Sequence, residues 1–508
     1  MKSSRAFSAI PTALLLVASV AHAQTAPPSV VSPPPVPPEP AAPPSVVSPP
    51  PVPPAPAALP PVAPPPPEPG PGVIVSAGPT EGAHPSRVTP TATGGPGDPA
   101  SVAAGPGGFS LTTLDGRWEL RLRALVQADG RFWSGDSQRP QTDTFLIRRA
   151  QPILEGKLPY GISFFLAPDF GGGQAILQDA YLGVDVADWL RFRFGKFRPP
   201  FGLERLRPTA NLTFVEFGLP TLLTPNRDVG AMVHGDLFNR FFGYAAGVFD
   251  GVPDNGSGDL DSDNEKEFAG RAYLRPLEPI PGRPFGRLFV GVATTFGRTY
   301  GTPTNPNFSS PTSTSAYKTP GQSTDFSYVS AASGVTPDYA NTVVANGPHN
   351  RYGAYLYHAV GLFSLMGEYY LSDQEIGRAG FPNTWIHNKA YQAQATFAFG
   401  ANASFDFVHV DAPLDPAQGH YGALELAGRV GHLDIDSNAF PNYASPTASV
   451  RGATEITAGA TWYVSDNAKF NVNWDNTQFQ GGAKTANELL AGHREAENIV
   501  FLRAQVVY

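Results

Sequence analysis

The residues in this chain best suited to chemistry are arginines spaced two apart. Arg121 and Arg123 lie within 118–128, and Arg191 and Arg193 within 190–194, each pair alternating with apolar residues. On an extended strand that spacing stacks two guanidiniums about 6–7 Å apart on one face. A guanidinium stays charged, and its planar fork of donors matches carboxylate and phosphate oxygens. Several such groups in a row replace the water an anion loses without holding it too tightly to leave. Arg148 and Arg149 are adjacent, so a regular pleat turns only one of them inward; the reading favours Arg149, with Gln151, Glu155 and Lys157 on its side. A denser basic run, Lys196, Arg198, Arg205 and Arg207, opens the connection 198–226, with Arg227 just beyond it. Pro199, Pro200 and Pro208 stiffen that connection and Gly202 lets it turn. Each cation also has a plainer role. The strand pairs could be surface arginines or partners of nearby carboxylates. The loop arginines could pair with Glu204, Glu216 or Asp228. Arg227 and Arg429 could pair with Asp228 and Glu425.

Other chemistries find little support. The chain has no Cys, which removes disulfide frameworks, thiolate metal sites and cysteine nucleophiles. Its ten His form no ligand cluster, and His234 and His409 read as strand-face residues. There is no G-x-S-x-G elbow. The acidic run 259–265 lacks the Gly at six and Glu at twelve of a twelve-residue calcium loop, and reads as a solvated loop. No catalytic residue, metal or cofactor is therefore expected, and the chain is not read as an enzyme. The net charge of −8 argues against nucleic acid but does not exclude an anion path, because local charge sets the field in a channel.

The elements that must hold these arginines show period two. Leu120, Leu122, Ala124, Val126 and Ala128 alternate with Glu119, Arg121, Arg123 and Gln127. Tyr391, Ala393, Ala395, Phe397 and Phe399 alternate with Gln392, Gln394 and Thr396, and Phe470, Val472 and Trp474 with Asn471, Asn473 and Asp475. Such alternation puts one residue set on each sheet face. A soluble sandwich shares it, but three features favour a membrane barrel. Aromatics cluster near strand ends. Connections are short at 236–240 and 464–468 and long and polar at 251–266, 299–349 and 476–496. The chain ends on an alternating strand with a terminal aromatic, Tyr508. In a bilayer the sheet must close to satisfy its backbone. Sixteen or seventeen strand candidates emerge, with 405–411 the doubtful one, and even-numbered closure selects sixteen. The fold class is thus all-β, a transmembrane antiparallel β-barrel over 108–508.

Two segments precede it. Residues 1–23 have the basic start, apolar core and A-x-A end of a signal peptide, too short to span a membrane. Residues 24–107 hold 30 of the 56 Pro, with a sixteen-residue unit repeated at 26–41 and 42–57. Prolines fix φ and lack a donor, so this tract favours extended, disordered chain and is expected in the periplasm as a spacer, with cell-wall contact as its sharper role.

Ordered blocks from 143 onward carry a resemblance. QDAYLGVDVADWLRFRFGKFRPPFGLERL at 178–206 is the most specific. DTFLIRRAQPILEG at 143–156, TPNRDVGAMVHGDL at 224–237, GHYGALELAGRVGHLDID at 419–436, ATWYVSDNAKFNVNWD at 460–475 and FLRAQVVY at 501–508 accompany it. Together they resemble the phosphate-selective porin O and P family. The resemblance implies a sixteen-stranded homotrimeric barrel in the outer membrane of a Gram-negative bacterium, among lipid and lipopolysaccharide, passing small anions such as phosphate or polyphosphate. It also implies that 198–226 folds inward to narrow the pore. Because the basic residues here are mostly Arg with few Lys, weak anion preference is the firmer expectation. A differently selective porin, or a barrel anchoring a proline-rich tether, are the alternatives.

Overall fold

A computed structural model describes residues 100–508, apart from 106, 137–140, 262, 281–284, 306–309 and 406. The expected signal peptide, and the proline-rich tract up to residue 99, lie outside the described residues. The ordered sheet begins with a hairpin, β1 (Ala100–Gly105) and β2 (Gly108–Thr113), eight residues ahead of the boundary drawn from composition.

Sixteen longer strands then form a closed antiparallel barrel. The first half runs β3 (Glu119–Gly135), β4 (Thr144–Leu158), β5 (Ile162–Asp169), β6 (Ile176–Ala187), β7 (Leu190–Phe197), β8 (Asp228–Leu237), β9 (Phe242–Phe249), β10 (Glu267–Leu274) and β11 (Arg287–Tyr300). A two-stranded ribbon, β12 (Tyr317–Lys318) and β13 (Thr324–Phe326), interrupts the sequence. The second half runs β14 (Val344–Val360), β15 (Phe363–Gly377), β16 (Thr384–Phe399), β17 (Ala423–Asp434), β18 (Val450–Ser465), β19 (Ala468–Gly481) and β20 (Glu497–Val507). Closure is made by β20 against β3, from Glu497↔Gly135 to Val507↔Leu125. Below that register β2 takes over the edge of β3, Phe109 facing Leu122. Among the described residues no helix is long and apolar enough to cross a membrane.

Alternation holds where the sequence shows it. Leu122 and Phe397 are about half exposed, at 49% and 50%, while Gln127 and Gln394 on the other parity are buried at 0% and 3%. The exposed parity is apolar, as a lipid-facing wall requires, and the buried parity is polar. The turns at 188–189, 238–241, 361–362 and 466–467 gather at one end, and the long connections 198–227, 250–266, 301–343 and 482–496 at the other. Residues 405 and 407–411 form no strand. They belong to connection 400–422 at the short-turn end, where Val408 and Val410 pack with Ala398, Ala401, Ala423 and Tyr463. From it Phe405 reaches the inward side and meets Tyr357 at 5.0 Å between ring centroids.

The interior is partly filled. Phe201, Leu203, Leu219 and Leu223 of connection 198–227, with Tyr317, Phe326 and Tyr328, pack on inward residues of β14–β18 such as Tyr370, Ala390 and Leu433. Gly218 permits the closest approach: a Cβ there would stand 1.9 Å from Oε1 of Gln392. Gly202 adopts φ +84°, a turn that side chains disfavour, and opens the one-turn helix Leu203–Leu206.

Candidate anion site in the lumen

Connection 198–227 divides the lumen because its two sides meet different walls. On the β15–β20 side, acids and amides pin it. Glu368 Oε1 accepts from the backbone N–H of Leu203 at 2.7 Å and of Glu204 at 2.8 Å. Glu204 accepts from Gly218 N–H at 3.0 Å and pairs with Arg429, which also pairs with Glu455. Asn473 accepts from Val215 N–H, and Arg503 donates to the Val215 carbonyl while bridging Asp129, all at 2.7 Å. Glu216 closes the set, pairing with Arg131 at 2.7 Å and Arg148 at 2.8 Å. Burial works to raise the Glu216 carboxyl, but the guanidiniums of Arg148 and Arg131 override it and hold it far below the usual range. Glu368, Glu204, Glu455 and Glu216 are thus spent on the loop and its partners.

The other side of the loop faces β4–β8 across a cavity of about 220 Å³. Arg148, Arg149, Arg198, Arg205, Arg227 and Lys318 line it against two carboxylates, Asp169 and Glu216, with Gln151, Gln178 and Thr209 as neutral donors. Arg149 donates to Gln127 Oε1 at 2.6 Å. Arg198 donates to the carbonyls of Arg205 and Arg207, and to Thr209 at 3.0 Å. Arg205 donates to Thr224 at 3.0 Å, the Thr221 carbonyl at 2.7 Å and Asn255 at 2.5 Å. Among the described residues none of these three has a carboxylate partner. Burial, and then the repulsion of Arg227, pulls the Arg198 guanidinium well below its usual range and brings Arg205 to about 10. Both groups therefore hold their charge at a disadvantage that a visiting anion relieves.

Two further cavities continue this one. A space of about 200 Å³ shares Arg198 and adds Arg271 and Tyr273; it runs into one of about 470 Å³ through Arg191, Arg193 and His234. Arg271 lies over the rings of Tyr273 and Tyr355 at 4.8 and 4.9 Å, and Arg193 over Tyr181 at 4.3 Å. Guanidiniums thus mark the whole course from the loop to the short-turn end.

The sequence candidates divide accordingly. Arg149, Arg191, Arg193, Arg198, Arg205 and Arg227 line these cavities. Arg191 is held at the rim by Asp188 at 2.7 Å, and Arg227 pairs with Asp179 at 3.1 Å rather than with Asp228. Arg121 and Arg123 face inward but are taken up by Glu155 on β4, directly across from Arg121, at 3.4 and 2.8 Å, and Arg121 also pairs with Glu119. Arg207 turns to Thr213, to the Asn211 carbonyl and to the Phe405 ring at 5.0 Å. Lys196 is a correction. Phe197, packed with Met232 and Phe249, continues the inward row of Arg191 and Arg193, so Lys196 falls on the alternate face and pairs with Asp259 at 2.5 Å. Arg148 is another. A bulge opposite Gln127 and Ala128 inserts it as an extra residue, so both it and Arg149 serve the lumen. Arg429 meets Glu455 and Glu204, not Glu425. His409 bonds Asp466 at 2.6 Å from the connection 400–422 and is no strand-face residue. Lys318 and Arg271 were missed: the first sits in a long loop without pattern, the second as a lone Arg in a strand of mixed polarity.

A family model described as phosphate-selective porin O and P matches residues 119–508. Comparison with curated proteins finds no match. Solved structures of similar shape include the outer membrane channel DcaP of Acinetobacter baumannii, at 10% identity over 78% of this chain and 99% of that one, TM-score 0.49. A loop-deletion form of OmpT of Vibrio cholerae has 11% identity over 77% and 100%, TM-score 0.47. An anion-selective porin from Comamonas acidovorans has 13% identity over 77% and 100%, TM-score 0.44.

Proposed function

This chain belongs to the phosphate-selective porin O and P family, and from that premise we propose that its off-centre passage carries small anions, phosphate and polyphosphate among them, passively across the outer membrane. A porin of the outer membrane is what the family and the closed barrel establish; the preference for anions is the step taken here. One observation carries it. The lumen acids Glu204, Glu216, Glu368 and Glu455 are engaged by the loop and its partners, while Arg149, Arg198, Arg205, Arg193 and Arg271 face the open side with neutral or aromatic partners. Asp169, Asp185, Asp188, Asp236 and Glu216 also stand in the walls of these cavities, but the Arg and Lys side chains outnumber them, so an ion crossing there meets an excess of positive charge. In planar bilayers under a potassium chloride gradient, the reversal potential should lie on the chloride side. A potassium-side value overturns the reading and favours a general or cation porin.

The remaining expectations follow the same premise. The long connections face outward to lipopolysaccharide, and the short turns and the hairpin β1–β2 face the periplasm, where residues 24–99 would extend. The pore is a homotrimer. A tether role for the proline tract is supported by that hairpin, which joins the segment to the barrel wall. Deleting residues 24–99 should leave conductance intact; loss of envelope attachment in the deletion strain would assign the tract that second task, and unchanged attachment would remove it.

A further inference from the structure

We propose that the ribbon β12–β13 is a lid on the basic cavity, seated at acid pH and lifted at alkaline pH by a buried group of carboxylates beneath it. The tip of the ribbon is part of that cavity's wall: Lys318, Thr319, Pro320 and Gln322 stand in it with Arg148, Arg149, Arg198 and Arg205. Lifting the tip therefore widens the route that ions take. The two ends of the ribbon are held differently. At its base Tyr317 and Phe326 stack at 5.4 Å between ring centroids inside the apolar cluster. The Tyr317 hydroxyl donates there to Asp254 at 3.1 Å, which is itself paired with Arg351 and His349. Toward the tip the ribbon rests on charge instead.

Asp136 just past β3, Asp325 on β13 and Glu497 at the start of β20 are each at most 4% exposed, and the fully buried Arg494 is the one guanidinium among them. Arg494 is committed to Asp136 at 2.7 Å and to Ser323 of the tip at 3.0 Å, and stands 3.6 Å from Glu497. Neither oxygen of Asp325 has a hydrogen-bond partner among the described residues. Glu497 lies beside the hydroxyls of Thr319 and Ser323, and a Cβ at Gly321 would stand 2.6 Å from its Oε1, so the tip sits directly on this acid. The other charged groups nearby do not offset the acids. Lys318 stands in the cavity wall, Glu488 accepts from the N–H groups of Lys484 and Thr485 at the start of the helix Ala486–Ala491, and Glu495 adds a further acid. Three buried carboxylates against one guanidinium cannot all ionise while the ribbon covers them. Burial raises the Asp325 carboxyl to about 7 against the weaker pull of Arg494, whereas a solvated one releases its proton near 4. A raised value means that the seated form is favoured below the solvated range and lost as pH rises through about 7. From pH 5.5 to pH 8.5 this one group multiplies the ratio of lifted to seated ribbon by roughly 30.

The test records single-channel currents of the full-length chain in potassium chloride at pH 5.5 and pH 8.5. Beside them, hydrogen-exchange protection of the ribbon is measured at the same two pH values, relative to the intrinsic rate at each. Time spent at the larger conductance level relative to the smaller should rise roughly 30-fold toward pH 8.5, and protection of the ribbon should fall with it. Asp325→Asn combined with Glu497→Gln keeps the shape and removes both titrations, so the lid should stay seated and the current low at both values. A current indifferent to pH overturns the proposal. So does a current that changes while ribbon protection does not, since another group on the route is then titrating. So does a full response in the folded double variant. If that variant does not insert, the agreement of current with protection in the unaltered protein still decides. The lid rests on the passage described above but not on its ion preference: a potassium-side reversal potential would bring down the anion reading and leave the lid standing.

Discussion

Glu216 is the carboxylate that the inward loop itself places on the wall of the open passage, so removing its charge is the sharpest probe of the electrostatic argument. It contacts Arg131 at 2.7 Å and Arg148 at 2.8 Å and lines the same cavity as Arg149 and Arg198. Glu216→Gln keeps shape and deletes one negative charge. For an ion passing about 8 Å away, with an effective dielectric constant of about 40–80, the change is about 0.5–1 kcal/mol. Anions gain and cations lose by that amount, so the permeability ratio should move by roughly 6- to 30-fold toward anions. The assay is the reversal potential of the substituted channel under a potassium chloride gradient, read beside Glu216→Asp, which keeps the charge. Because Glu216 is held far below the usual carboxylate range, its contribution should not change between pH 7 and pH 4. The sign follows from a depressed value: the ionised pair persists above the unfolded carboxylate range and is lost only as pH falls through the depressed one. An unchanged ratio, or a shift toward cations, would refute the claim that this loop sets the field in the passage.

Three further outcomes follow. Arg123→Ala with Glu155→Ala removes one charge of each sign and leaves Arg121 its second partner, Glu119; it should leave the reversal potential unchanged, whereas Arg198→Ala should lower anion preference by roughly threefold or more. Arg351 is fully buried between Asp254 and Glu267, both at 2.6 Å; Arg351→Ala should destabilise the long-loop end by about 3–5 kcal/mol, seen as faster proteolysis within 250–266. Burial raises the carboxyl of Asp325 to about 7 against a weaker opposing pull from Arg494. A raised value means that packing of this segment is strongest below the unfolded range and weakens as pH rises through about 7. Hydrogen-exchange protection in 317–326, taken relative to the intrinsic rate at each pH, should therefore be lower at pH 8.5 than at pH 5.5, and Asp325→Asn should abolish the difference.

The barrel is legible in the sequence because its physics is local: every second residue either meets lipid or does not, and Leu120, Phe397 and Trp474 sit on the exposed side with their alternation intact. The strand number needed the rule of even closure to choose between sixteen and seventeen, and the inward course of 198–227 came only from the family resemblance. The site was legible in part. Residue type and parity pointed Arg191, Arg193 and Arg149 to the inward face, where they line the cavities. What parity could not supply was the partner. Glu155 is directly across from Arg121 only by a register that no single strand encodes. Arg148 enters through a bulge that breaks the counting rule. Phe405 lies in a stretch with poor alternation because it obeys no sheet at all; it is placed by its contacts with Tyr357 and Arg207.

The sixteen strands are not of equal height. Strands β5, β7, β9 and β10 have eight residues each, while β14 has seventeen and β16 sixteen. Eight residues tilted by about 40° rise only about 20 Å, short of the roughly 25 Å apolar band of such barrels. A rim that low on one flank would pinch any bilayer wrapped around it, at a penalty that grows with every ångström of mismatch. In the homotrimer proposed above, the shallow flank is the one that would turn away from lipid and against neighbouring barrels, leaving the tall flank to meet the membrane.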